Sequence, residues 1–92
     1  MAAFLITYDL NYSGQNYRNL EQSIKNLTTS YAKIATTTYI INSNLNSTAI
    51  RDNLSNHVDN NDELFVSKLT GEAAWKGLSD EISSWLKNNL SK

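Results

Sequence analysis

The chain has 92 residues, 40% of them hydrophobic and 18% charged, with eight Lys plus Arg against nine Asp plus Glu and a net charge of −1. That length makes one domain, residues 1–92, with a core able to fold but modest in stability, which oligomerisation would naturally supplement. The absence of cysteine excludes disulfides, thiolate catalysis and cysteine-based zinc sites, and the absence of proline excludes cis-proline turns and proline-rich linkers.

In chain order, Ala3-Phe4-Leu5-Ile6-Thr7-Tyr8-Asp9 is apolar and β-prone, and ends on a carboxylate. It reads as a buried strand whose charge sits where the strand leaves the sheet, the rim at which α/β proteins often place chemistry. Residues 10–16 are mostly turn formers and read as a loop. Tyr17, Leu20, Ile24 and Leu27 then recur at helical spacing, with Arg18, Glu21, Gln22 and Lys25 between them, which predicts an amphipathic helix of about three turns. Residues 31–42 are β-rich without helical period. The run is long for one strand, so it is either two strands with a tight bend near Ala35–Thr37 or one strand with a bulge. Asn46 or Ser47 caps the next helix, whose apolar stripe is Ile50, Leu54 and Val58. Asp59-Asn60-Asn61-Asp62 breaks that helix, and Glu63 to Leu69 is a further strand. Thr70-Gly71-Glu72 is a turn, Ala73-Ala74-Trp75 begins a short helical piece, and Leu78, Ile82, Trp85, Leu86 and Leu90 stripe a C-terminal helix.

With 31–42 as two strands, this order is an α+β, ferredoxin-like βαββαβ sandwich with an added C-terminal helix. Both internal helices then cover one sheet face, with Leu20, Ile24, Ile50 and Leu54 in the core. The other face is apolar enough to need a cover, from the last helix or from a second copy of the chain. The N-terminal run has no basic flank and stops at Asp9, unlike a signal peptide, and no segment approaches the roughly 20 apolar residues that span a bilayer. A cytoplasmic protein without a membrane partner is the expectation.

Few residues point to chemistry. Asp9 is either a metal ligand or a cap that accepts backbone amides of the following loop. Asp59 to Glu63 suggests a calcium loop, but Leu64 stands where the glycine belongs and Thr70 where the closing glutamate belongs, so a helix-to-strand turn is the better reading. His57 is the sole histidine, which leaves no partner for a zinc site or a catalytic triad. Tyr8, Tyr12, Tyr17, Tyr31 and Tyr39 would suit base stacking, but the basic groove that accompanies such platforms is missing, and Tyr17 and Tyr31 read better as core. Trp75 and Trp85 read as packing anchors.

The opening Phe4-Leu5-Ile6-Thr7-Tyr8-Asp9-Leu10, followed by a loop and a helix, resembles the start of the small CRISPR-associated nuclease and adaptor proteins that form a complex with the spacer integrase. Asn61-Asp62-Glu63-Leu64-Phe65-Val66, Gly71-Glu72-Ala73-Ala74-Trp75 and Trp85-Leu86 look closer to an uncharacterised, non-CRISPR branch of homologues. The resemblance implies a ferredoxin-like homodimer. It also implies that Asp9, with its copy across the dimer axis, holds Mg²⁺ or Mn²⁺ for phosphodiester cleavage. The family's basic residues are thin here, and many of its members cleave weakly or not at all. Two expectations result: a small homodimeric binding or structural module with a protein partner, in bacterial or phage defence, or a metal-dependent endonuclease that cuts RNA or DNA through Asp9. The balance of charge favours the first, because affinity for nucleic acid comes largely from phosphate neutralisation.

Overall fold

The computed structural model describes residues 1–10 and 17–90. Four strands and three helices follow in the order β1 (Ala2–Asp9), α1 (Tyr17–Asn26), β2 (Tyr31–Ala35), β3 (Thr38–Ser43), α2 (Ser47–Leu54), β4 (Glu63–Lys68) and α3 (Asp80–Leu90), with a 3-10 turn at Ser55–His57. The sheet order is β2-β3-β1-β4 and every neighbouring pair is antiparallel. This is the ferredoxin-like arrangement with one added helix. The loop predicted over residues 10–16 lies outside the described residues except for Leu10, which is buried.

Alternation along β1 divides the core in two. Phe4, Ile6 and Tyr8 point to the side of α1 and α2, where they pack with Tyr39, Ile41, Leu20, Ile24, Ile50 and Leu54. Leu20, Ile24, Ile50 and Leu54 are completely shielded from solvent. Each such side chain contributes about 1.5–3 kcal/mol relative to exposure. Ala3 and Ile40 point the other way and join Leu86 and Leu90 of α3, with Leu5, Ile34, Trp75 and Trp85 packed around them. The chain's own last helix therefore supplies a cover for the second face, and it does so over the β2 side of the sheet.

Residues 31–42 form two strands with a tight bend, the first of the predicted alternatives. Thr36 and Thr37 turn the chain between β2 and β3, and the register also shifts between Lys33 and Ala35. The Thr28 hydroxyl fixes the entry to β2, accepting from the Ser30 N–H at 3.1 Å and lying 2.7 Å from the Asn42 carbonyl. Asn46 is the cap of α2, its side chain accepting from the Ala49 N–H at 2.8 Å. Helix α2 is shorter than its apolar stripe predicts. It tightens into the 3-10 turn after Leu54, and Val58 reaches the core from extended backbone.

The predicted helical piece at Ala73-Ala74-Trp75 is absent. The segment is irregular, and Trp75 is held by its indole N–H, which donates to Ser83 Oγ at 3.1 Å. Trp85 is pinned likewise, donating to Ser30 Oγ at 2.6 Å. Both tryptophans act as packing anchors on the α3 side.

Candidate functional site

Asp9 closes β1 on the sheet face that α3 shares with it, and is exposed. Its register partner on β4 is Glu63, so two carboxylates stand directly opposite each other on one face. Thr7 and Phe65 form the next pair inward. These four side chains, with Tyr8 and Leu64, line a shallow cavity of about 200 Å³. None of the six is basic. Helix α3 lies over β2, on the same face but at the opposite edge of the sheet from this patch, and Phe65 is left 58% exposed. The Thr7 hydroxyl is engaged inward, 3.0 Å from Thr38 Oγ1.

Like charges directly opposite on adjacent strands are destabilising unless something compensates them. As a donor set, Asp9 and Glu63 fit a hard cation in kind, since Mg²⁺ is commonly held by one or two carboxylates while water and phosphate complete its shell. Among the described residues no three His, Cys, Asp or Glu side chains converge on one point. The capping alternative for Asp9 involves the loop after it, which lies outside the described residues.

Beneath Asp9, Tyr8 belongs to a different environment. It is buried on the opposite face, where its hydroxyl donates to Glu21 Oε2 at 2.7 Å. Lys33 Nζ approaches the same carboxylate at 3.7 Å and lies over the Tyr39 ring. Burial, reinforced by the bond to Glu21, pushes the Tyr8 hydroxyl far above its ordinary range. Burial also raises Tyr39, with the Glu21 charge adding to it.

These shifts fix a pH dependence. Below about pH 10 both folded and unfolded chains keep the Tyr8 proton, and its contribution to stability is constant. Above that value the unfolded tyrosine ionises while the folded one does not, so stability falls as pH rises. Urea denaturation from about pH 8 to 11 should show this fall, and Tyr8→Phe should flatten it. Equal slopes for both proteins would contradict the assignment to Tyr8.

Among the described residues the tyrosines form no stacking platform. Tyr8 and Tyr39 are buried, and Tyr12 lies outside the described residues. Tyr31, read as core from sequence, is instead 40% exposed and tilted against Tyr39, with Lys25 over its ring. His57 is half-buried in the 3-10 turn. The sequence did not place Glu63 and Phe65 beside Asp9. Their alternation with Leu64 and Val66 places them on one face, but only strand pairing brings them beside Asp9 and Thr7.

No family model matches the chain, and no curated protein matches it. No helix among the described residues is long and apolar enough to cross a membrane.

Proposed function

We propose that the chain is a small homodimeric binding module that works through protein contacts, with the setting in bacterial or phage defence that its resemblance to CRISPR-associated adaptors suggests. The observation that carries this reading is Phe65, a large apolar side chain 58% exposed in the middle of a regular strand. A side chain of that kind, on a sheet face which α3 covers only from the β2 side, favours association over a free surface. Sedimentation at tens of micromolar should show a dimer, and a monomer there would overturn the reading.

The opposed carboxylates of Asp9 and Glu63 favour a second reading, a metal-dependent endonuclease acting on RNA or DNA. Bound Mg²⁺ or Mn²⁺ would supply Lewis acidity and an activated water. The chain's own residues would hold the cation through oxygen donors at the rim. Asp9→Asn tests this reading directly. In a cleavage assay with either metal, the nuclease reading expects activity in wild type and its loss in the variant. Equal cleavage by both proteins would remove Asp9 from any such role. Stability gives an independent measure. Removing one of two opposed charges should leave the fold unchanged or stabilise it by roughly 0.2–1 kcal/mol, whereas a clear loss would show that Asp9 is a structural cap.

A further inference from the structure

The sheet has two edges, and they are treated differently. The β2 edge is short, carries a register shift between Lys33 and Ala35, and is flanked by α3. Such devices blunt an edge against pairing with another chain. The β4 edge is flanked by α2 in the same way, but it carries no register shift. Its six residues pair with β1 in unbroken register, it contains no proline, and a shallow cavity of about 210 Å³ runs between it and α2.

The direction of the free groups on β4 follows from the ladder. The Leu69 N–H donates to the Ala3 carbonyl at 2.9 Å, which makes the odd-numbered residues of this register the hydrogen-bonded partners of β1. Leu64, Val66 and Lys68 therefore turn their backbone N–H and C=O outward. A two-fold axis normal to the sheet keeps each side chain on its own face. A second β4 can then add antiparallel with one residue opposite its own copy.

We infer that two copies of this chain join through β4, antiparallel and centred on Phe65, into one continuous eight-stranded sheet. In that register Leu64 and Val66 exchange backbone hydrogen bonds with the partner's Val66 and Leu64. Phe65 meets its own copy in a non-hydrogen-bonded pair, where side chains lie closest. Asp62, in the turn immediately before β4, where its carboxylate also accepts from the Asp59 N–H at 2.7 Å, falls opposite the partner's Lys68, giving two pairs of opposite charge in each dimer. Centring on Val66 instead would set Lys68 against Leu64 and lose this complementarity. The inference rests on the homodimer reading and specifies its interface. It also separates the two Asp9 side chains by three strand spacings, about 14 Å laterally, so this dimer holds no metal between them.

The chain contains no cysteine, so single introduced cysteines report the interface cleanly. Opposed Cα atoms at the axis would lie about 4.5 Å apart, within disulfide reach. The expected results are a wild-type dimer in sedimentation, a covalent dimer on mild oxidation of Phe65→Cys, and none for Ser67→Cys or Asp9→Cys. The two copies of residue 67 would be about 13 Å apart along the strands. Phe65→Lys, on an exposed position, should weaken the dimer about tenfold or more. A wild-type dimer that cross-links through Asp9→Cys but not Phe65→Cys would overturn the β4 interface and leave the homodimer reading standing. A wild-type monomer would overturn both.

Discussion

Truncating Ile24 to alanine should destabilise the protein by about 2–5 kcal/mol. Ile24 is fully shielded, and it packs with Leu20 of its own helix, with Ile50 and Leu54 of α2, and with Ile6 and Ile41 of the sheet. Removing its outer carbons leaves a space that neighbours on rigid strands and a second helix cannot easily close. The loss therefore combines the transfer term with a cavity term. A domain of this size has a total stability of roughly 5–14 kcal/mol, so the variant should show a large drop in urea midpoint with little change in slope. Protein concentration must be fixed, because dimerisation makes the midpoint concentration-dependent. A loss under about 0.5 kcal/mol would contradict the placement of α1 against the sheet.

The order of elements was legible because each signal was local. The period of α1, the Asn46 cap and the Asn/Asp turn at 59–62 all act within a few residues, and they place the elements where the structure has them. The errors arise where tertiary contacts decide. Ala73-Ala74-Trp75 has helix-forming alanines, but the Trp75 indole is drawn to Ser83 and the backbone follows it. Val58 continues the stripe of Ile50 and Leu54, yet the helix tightens before it, because the side chain is equally well buried from extended backbone. Tyr31 has the composition of a core residue, and only the position of β2 at the sheet edge exposes it. The candidate site divides in the same way. Asp9 was visible as a charge closing an apolar strand. Glu63 became its neighbour only through the pairing of β1 with β4, and the exposure of Phe65 follows only from the place of β4 at the sheet edge.

Leu86→Ala in α3 should cost about as much as a substitution in the main core, again about 2–5 kcal/mol. A helix merely appended to a sandwich would dock weakly and fray alone. The contacts argue otherwise. Leu86 is 2% exposed and packs with Ala3 and Ile40, residues of strands whose opposite faces build the other core cluster. Trp85 donates to Ser30 at the start of β2, Asn42 of β3 donates to Asn89, and Asn89 donates in turn to the Trp85 carbonyl at 2.8 Å. Losing α3 would bare Ala3 and Ile40 in the middle of the sheet and Ala32 on β2, so its unfolding should be coupled to that of the strands. Both tryptophans belong to this face, which makes their fluorescence a reporter of α3 docking, while far-ultraviolet circular dichroism follows the whole chain. The two signals should trace one coincident urea transition in wild type, and in Leu86→Ala they should shift together to lower urea. Fluorescence changing well before circular dichroism would show α3 detaching as a unit of its own, and would remove it from the cooperative core.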